Sequence, residues 1–268
     1  PFLPIQFFKS HTVLSSSTLL QTGTYYASQT SNGCESSSRI AISITIKPIQ
    51  IDVKIPTNGL IAYYPFNGNS NDVSGNKSNG SVTAAVLTTD RFGNSNSAYS
   101  FDGAGSYIDA AIANIPQGNA ARTVSGWFKT NTPNPGENGD VCIFNYGALS
   151  RLQRFGLTVY SKGYLQTSTG PNAIGDDFYV NNFNYLSNDW YFFTLTYNGT
   201  KVSLYVNGVF VSEKNAALNT TNNLFRIGKR ISGDTTNEYF KGKRIQGRFT
   251  KYGLGSIQRC TCCHNLQR

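Results

Sequence analysis

Asn-Gly pairs recur along this chain between short apolar runs, and this pattern constrains the chain to β-structure. The pairs begin at residues 32, 58, 67, 79, 138, 198 and 207. Both central residues of a type I′ hairpin turn need positive φ, which Asn and Gly adopt readily. Two of these pairs separate three β-branched and aromatic runs between residues 190 and 214. In the middle run, Val202, Leu204 and Val206 alternate with more polar residues, which predicts an antiparallel meander with one buried face.

Similar runs occur along much of the chain, and no long segment has apolar residues at helical spacing. The other candidate strands are residues 59–66, 98–103, 107–112, 123–130, 140–147, 154–161 and 223–230. Many short strands separated by turns predict an all-β fold, an antiparallel two-sheet jelly-roll sandwich. Residues 23–30 and 38–46 predict an N-terminal hairpin that is too small to be stable alone. Residues 47–58 are interpreted as a linker.

The charge distribution argues against a nucleic-acid partner. The net charge is +9, yet residues 1–228 hold 14 basic and 12 acidic side chains, whereas residues 229–268 hold 9 and 2. A nucleic-acid binder concentrates basic residues on one folded face, and this nearly neutral body does not. No run of 18 apolar residues occurs, which predicts no membrane insertion. The chain opens without Met or a basic segment, so we interpret it as an internal piece of a longer polypeptide.

Four segments resemble a laminin G-like domain of the concanavalin A-like lectin/glucanase superfamily. They are GLIAYYPFNGNSNDVSGNKSNGSV (59–82), TTDRFGNSNSAYSFDGAGSYIDA (88–110), TVSGWFKT (123–130) and DWYFFTLTYNGTKVSLYVNGV (189–209). The resemblance covers residues 59–243 and implies a jelly roll of two packed antiparallel sheets. It also implies a secreted or cell-surface protein that binds carbohydrate or protein. The segment GTYYASQTSNGCESSSRIAISITI (23–46) resembles the last strands of a bacterial immunoglobulin-like repeat, so residues 1–46 are interpreted as a partial domain of that kind.

The C-terminal residues 244–268 depart from the family pattern. After FKGK (240–243) the family usually continues with an acidic closing strand, whereas this chain continues as a basic, Cys-rich tail. We interpret the change as a reading-frame shift near residue 243. A jelly roll without its closing strand would expose a sheet edge and invite aggregation.

The residues that common hydrolytic mechanisms need are missing from residues 59–243. Both histidines, His11 and His264, lie outside this range, which argues against a His-based triad. Glucanases of the superfamily carry a Glu-x-Asp-x-x-Glu strand, and the chain has no such motif. The sequence therefore predicts a non-catalytic module, with a glycoside hydrolase of the same fold as the remote alternative.

An Asn/Gly-rich stretch at residues 67–76 predicts a calcium site. It packs one carboxylate among amides and turn carbonyls, and Ca²⁺ takes six to eight oxygen ligands of this kind. Asp72 is the leading candidate ligand, with Asn76 and Asp102 beside it. The alternative is an ordinary turn whose side chains satisfy its own backbone.

Residues 175–189 combine aromatic, Asn and Asp side chains, as a sugar-binding loop does. An edge loop of the sandwich would have the same composition. The two tryptophans, Trp127 and Trp190, match strand positions of the family and are predicted to be core. Tyr146 is a further candidate platform. The candidate ligand-binding residues are Tyr164, Asp176, Phe178, Tyr179, Asn182, Phe183 and Tyr185.

These features together predict a non-catalytic binding module of a secreted or cell-surface protein. The expected partner is a polysaccharide or glycoconjugate, held by loop aromatics and by Asn and Asp side chains, with a structural Ca²⁺ ordering the loop. The alternative is an adhesion domain that binds protein or acts as a spacer. The sequence does not indicate an oligomeric state.

Overall fold

The computed structural model describes residues 5–9, 12–15, 23–44, 58–131, 141–160, 162–169, 177–181, 184–230 and 239–250, with backbone alone for 243–250. The chain divides into two compact units, Pro1–Ile55 and Pro56–Arg268. The division falls inside the segment interpreted as a linker from the sequence.

The first unit is a small antiparallel sheet. Its strands are β1 (Ile5–Lys9), β2 (Thr12–Val13), β3 (Gly23–Ser31), β4 (Cys34–Glu35) and β5 (Ile40–Ile44). They are ordered β2-β1-β3-β4, and β5 also pairs with β3, which is the predicted hairpin. Asn32 and Gly33 join β3 to β4 with φ of 49° and 81°, as a type I′ turn requires.

The second unit contains fifteen strands and, within the described residues, no helix. The strands are β6 (Leu60–Tyr64), β7 (Ser81–Thr83), β8 (Val86–Thr88), β9 (Ala98–Asp102), β10 (Tyr107–Ala111), β11 (Arg122–Lys129), β12 (Val141–Gly147), β13 (Arg154–Val159), β14 (Leu165–Ser168), β15 (Tyr179–Val180), β16 (Tyr191–Tyr197), β17 (Lys201–Val206), β18 (Val209–Asn215), β19 (Leu224–Ile227) and β20 (Lys241–Thr250). The part of the chain that the structure describes has no helix that could span a membrane.

These strands form two antiparallel sheets, which confirms the predicted jelly-roll sandwich. The seven-stranded sheet has the order β15-β14-β13-β12-β19-β10-β7. The eight-stranded sheet has the order β18-β17-β16-β11-β20-β9-β8, and β6 pairs with β20. The predicted meander is β16-β17-β18, and its Val202, Leu204 and Val206 are buried.

Aromatic rings from both sheets form the core between them. The ring of Phe144 in the seven-stranded sheet stacks on Phe193 in the eight-stranded sheet, with 5.5 Å between centroids. Phe144 also stacks on Phe225 at 5.7 Å. Tyr146, predicted as a ligand platform, is fully buried here, and its hydroxyl accepts a hydrogen bond from Arg122 at 2.7 Å. That prediction was wrong, because Tyr146 follows an all-buried strand pattern rather than ending in an exposed loop.

The predicted core position of Trp127 was also wrong. Its neighbours Gly126 and Phe128 are buried, so strand alternation places the Trp127 side chain on the outer face of the eight-stranded sheet, where it is half-buried. Trp190 precedes β16 and is likewise half-buried.

Strand β20 occupies the middle of the eight-stranded sheet. It pairs with β11 on one side and with β9 and β6 on the other. The expectation that the sandwich lacks its closing strand was therefore wrong, because residues 244–250 continue the pairing that begins at Lys241. The rest of the Cys-rich tail, residues 251–268, lies outside the described residues.

Candidate functional site

The predicted calcium ligand Asp72 is a buried structural carboxylate. Its Oδ1 accepts hydrogen bonds from the backbone N–H groups of Tyr63 and Ser74, both at 2.9 Å. Its Oδ2 accepts from the Ser74 hydroxyl at 2.9 Å and from the Ser78 N–H at 3.0 Å. A carboxylate has about four lone-pair positions, and the chain's own donors fill all four. Asp72 therefore orders residues 67–80 by tying them to β6.

Asp102 closes a different turn. Its Oδ1 accepts hydrogen bonds from the N–H groups of Ala104, Gly105 and Ser106, at 2.9, 3.0 and 3.1 Å, and from the Ser106 hydroxyl at 2.7 Å. These donors, first the Ala104 N–H, hold the pKa of Asp102 well below its usual range. The carboxylate thus stays ionised within a tight loop between β9 and β10.

The three residues predicted to share a calcium ion do not come together. Asp72 contacts Tyr63, which pairs with Arg248 of β20, whereas Asp102 pairs with Lys241 of the same strand. Seven residues of strand separate these positions by about 23 Å. Asn76 lies with Asp72 and donates its amide to the carbonyl of Ile61. Within the described residues no group of three metal-ligating side chains forms.

The predicted ligand loop divides between core and surface. Tyr185 is buried, with its ring in edge contact with Tyr191 at 5.1 Å, and burial raises the pKa of its hydroxyl. Phe178 is partly buried against the core. Both were wrong as exposed platforms. Asp176, Asn182 and Phe183 lie outside the described residues.

Three tyrosines at the edge of the seven-stranded sheet form what we call the tyrosine cluster: Tyr160, Tyr164 and Tyr179. Tyr179 is 52% exposed, and its ring meets the Tyr160 ring edge-on at 5.7 Å. The Tyr160 N–H donates to the Tyr164 carbonyl in the turn between β13 and β14. Strand alternation places all three rings on the outer face of the sheet, because Val159, Leu165 and Val180 point into the core.

Polar groups converge beside this cluster. Gln166 pairs with Tyr179 across the strands and donates to Oδ2 of Asp177 at 3.3 Å. Oδ1 of Asp177 accepts from the backbone N–H and the hydroxyl of Thr169, at 2.7 and 2.8 Å. Burial raises the pKa of Asp177 despite these bonds. Asp177 is half-buried, and these bonds tie its carboxylate to β14 and to Thr169, the residue that follows this strand.

A second group on the same face is the cation–tyrosine cluster: Tyr107, Asp109, Arg226, Lys229 and Tyr239. Nε and Nη2 of Arg226 donate to the two oxygens of Asp109 at 2.6 and 2.7 Å. The Arg226 guanidinium lies 4.8 Å from the Tyr107 ring centroid. The Lys229 ammonium lies 5.1 Å from the Tyr107 ring and 4.8 Å from the Tyr239 ring.

Sequence reasoning missed this second cluster. The alternation of buried Ile108 and Ala110 with Tyr107 and Asp109 was available from the pattern. The pairing of β10 with β19 was not, because Asp109 and Arg226 are 117 residues apart in the chain.

The two clusters lie on opposite sides of a buried strip. Strands β12 and β13 are buried on both faces, and Asn145 on the outer side of β12 donates to the Lys229 carbonyl at 2.8 Å. Four strand spacings separate β15 from β19, which puts Tyr179 and Arg226 roughly 20 Å apart. The face thus offers two polar, aromatic contact points.

The outer face of the eight-stranded sheet carries a group of aromatic side chains and one arginine, which we call the aromatic strip. It consists of Arg91, Phe92, Trp127, Phe192, Tyr205 and Phe210. Trp127 packs on Phe192 at 5.2 Å, and the Arg91 guanidinium lies 4.3 Å from the Trp127 ring. Tyr205 meets Phe210 at 5.6 Å. Phe92 is 60% exposed and Phe210 51%, so this strip is more apolar than the opposite face.

Comparison with known proteins shows which folds this architecture shares. Residues 102–246 match the family described as the concanavalin A-like lectin/glucanases superfamily, which is more than half of the chain. Domain 4 of AbnA, a GH43 extracellular arabinanase from Geobacillus stearothermophilus, in complex with arabinotriose, is similar in structure. Its TM-score is 0.53 at 18% identity, over 72% of this chain and 93% of that one.

Toxin binding domains are similar as well. The binding domain of paraclostridial mosquitocidal protein 1 has a TM-score of 0.57 at 18% identity, over 74% of this chain. The botulinum neurotoxin serotype D binding domain has a TM-score of 0.54 at 15% identity, also over 74%. This chain spans about half the length of these two domains, 50% and 49%. No curated protein matches the chain by sequence.

Proposed function

This chain belongs to the concanavalin A-like lectin/glucanase superfamily, and on that basis we propose that it is a non-catalytic carbohydrate-binding module of a secreted or cell-surface protein. The neighbours of similar structure are binding domains, and one of them is described in complex with arabinotriose. A polysaccharide or glycoconjugate is the partner that the outer face of the seven-stranded sheet suits best.

One observation carries this proposal: half-exposed tyrosine rings lie beside converging hydrogen-bonding groups. Tyr179 is exposed at the sheet edge next to Gln166, which holds Asp177 in place. Aromatic faces stack on the apolar C–H surface of a sugar ring, while amide and carboxylate groups bond to its hydroxyls. An apolar body with a few placed polar groups is the usual composition of a small-ligand site.

The placement of the carboxylates supports the non-catalytic part of the proposal. Among the described residues of this face, Asp109 and Asp177 are the two carboxylates, and four strand spacings separate β10 from β14. This is about 19 Å, whereas glycosidases hold their two carboxyl groups about 5 to 9.5 Å apart. Both carboxylate oxygens of Asp109 also accept hydrogen bonds from Arg226.

The test is binding of a glycan panel by the whole chain, followed by calorimetry with the best ligand. We expect Tyr179→Ala to weaken binding by about tenfold, the effect of losing one stacking contact of about 1.4 kcal/mol. Phe210→Ala on the opposite sheet is the matched control, because it removes an equally exposed ring from the aromatic strip. A folded chain that binds no glycan, or that hydrolyses one, would overturn the proposal.

The aromatic strip favours a second function, adhesion to protein. It extends onto β18, an edge strand with exposed Val209 and Phe210, and exposed edges accept strands of other chains. Under this alternative, the chain binds no glycan, and Phe210→Ala weakens adhesion to protein-coated surfaces while Tyr179→Ala does not.

A further inference from the structure

Resting on the proposed function, we propose that the cation–tyrosine cluster makes this face selective for acidic polysaccharides, with Lys229 pairing with an anionic group carried on a sugar. The shared chemistry is a carboxylate of a uronic acid or a sulfate ester. Neutral glycans lack the group that this cluster would recognise.

Lys229 is a half-buried cation held without a carboxylate. Its ammonium lies between the rings of Tyr107 and Tyr239, at 5.1 and 4.8 Å from their centroids. Among the residues that the structure describes, no Asp or Glu lies within ion-pair distance of it. Two electron-rich ring faces stabilise an ammonium group, and they fix its position without neutralising its charge. Lys229 is therefore ready to pair with an anion from outside.

The only carboxylate of the cluster is already neutralised. Both oxygens of Asp109 accept from Arg226, at 2.6 and 2.7 Å, and this two-contact geometry is the strongest form of ion pair. Arg226 uses two of its five N–H donors in this pair. An incoming anion therefore meets Lys229 and the remaining side of Arg226 without repulsion from an unpaired Asp109.

The surrounding charges favour an anion too. Arg154, which is fully buried, projects toward the same face and donates to Ser168 at 3.2 Å. Arg230 lies close enough to Asp177 to act on its pKa. Cations therefore outnumber carboxylates among the described residues of this face. On the opposite sheet, the half-buried Lys201 is paired with Glu213 at 2.6 Å. A face with an excess of one sign of charge raises the local concentration of ligands of the other sign.

The experiment compares polymers that differ only in charge, using the whole chain and calorimetry. Polygalacturonate is paired with its methyl ester, and dextran sulfate with dextran. We expect at least one acidic polymer to bind about tenfold or more tightly than its neutral partner, and binding to weaken as NaCl rises from about 50 to about 500 mM. The polygalacturonate arm reports a uronate ligand, and the dextran sulfate arm reports a sulfate ligand.

Variants then locate the effect. Lys229→Gln should lower affinity for the acidic polymer about tenfold, Lys229→Arg should retain it, and Lys201→Gln is the control that should leave it unchanged. If both neutral polymers bind as tightly as the acidic ones and Lys229→Gln changes nothing, this inference is wrong while the proposed function stands. If a panel of neutral and acidic glycans shows no binding to the folded chain, both fail.

Discussion

Two aspartates of the second unit have opposite effects on the stability of the fold. Backbone N–H groups surround Asp102 and lower its pKa, whereas burial raises the pKa of Asp177. The sequence predicted Asp72 and Asp102 as calcium ligands, Asp72 because it is the single carboxylate of an Asn/Gly-rich stretch. It could not predict their role, since residue spacing does not tell whether a carboxylate's acceptors are filled by the chain or left for an ion.

Asp72→Ala should destabilise the second unit strongly. It leaves three backbone donors near β6 without an acceptor, and each buried unpaired donor costs about 1–3 kcal/mol. We expect a loss of about 3 kcal/mol or more, which is a fall in Tm of about 6–12 °C for a domain of this size. Asp189→Ala is the control, because Asp189 is exposed and, among the residues that the structure describes, accepts a hydrogen bond only from Ser187. Equal Tm values for the two variants would contradict the structural role of Asp72.

The predicted calcium ion is tested in the same melts. The four acceptor positions of Asp72 are filled by the chain, so we expect EGTA and added Ca²⁺ to give Tm values within about 1 °C of each other. A rise of several degrees with Ca²⁺, abolished by Asp72→Ala, would establish a calcium site at this loop.

Asp177→Asn should stabilise the protein at neutral pH. The unfolded carboxyl titrates near 3.8, and the folded pKa is higher, so the ionised Asp177 destabilises the fold at pH 7. That penalty is relieved as the pH falls through the folded pKa. The Tm advantage of the variant should therefore shrink between pH 7 and pH 4, as followed by circular dichroism.

Asp102→Asn is the control, because its expected change in stability has the opposite sign to that of Asp177→Asn. The lowered pKa of Asp102 contributes stability above pH 3.8 that is lost as the pH falls further. This variant should be less stable than wild type across pH 4–8. If the Tm of Asp177→Asn equals or falls below that of wild type throughout pH 4–8, the hydrogen bonds of Asp177 stabilise the fold by more than its burial destabilises it.

At the scale of the element, the sequence predicted the strands better than their partners. The meander β16-β17-β18 followed from local alternation and two Asn-Gly turns. Of these turns, Asn207 and Gly208 both have positive φ, at 50° and 79°, whereas at the other only Gly199 does. There the Asn198 side chain accepts from the N–H groups of Thr200 and Lys201 instead. Residues 244–250 of β20 were assigned to an atypical tail from their composition, but strand pairing depends on backbone groups that composition does not report.

Gly247→Pro should disrupt the middle of the eight-stranded sheet. Gly247 faces Gly126 of β11 and Tyr64 of β6, so proline removes a ladder hydrogen bond and introduces its ring between two neighbours. We expect a loss of at least about 2 kcal/mol, with aggregation visible by size-exclusion chromatography. Lys241→Pro at the first residue of the strand is the milder control. A Gly247→Pro variant as stable as that control would place β20 outside the sheet.

At the scale of the whole molecule, the main hydrophobic core belongs to the second unit alone. Every member of the core cluster lies between Ile61 and Phe240. The first unit has a separate small sheet, in which Phe8 and Tyr25 are buried. The sequence predicts a Pro-containing linker at residues 47–58, and the superfamily match lies entirely in the second unit.

A chain beginning at Pro56 should therefore fold on its own. We expect its cooperative thermal transition to fall within about 3 °C of the main transition of the full chain, since no core residue is removed. The measurement is differential scanning calorimetry of both chains. Loss of the cooperative transition in the shorter chain would show that the second unit depends on the first.

The span of roughly 20 Å between Tyr179 and Arg226 exceeds the width of a single sugar. Under the proposed function, a polymer anchored at one cluster meets the other intramolecularly, at an effective concentration set by the stretch of sugars that joins them. Fragments too short to bridge the span lose that avidity, although each of their sugars is chemically unchanged. The outer face of the seven-stranded sheet therefore stays bound to uncut polysaccharide chains and releases the short products of their degradation.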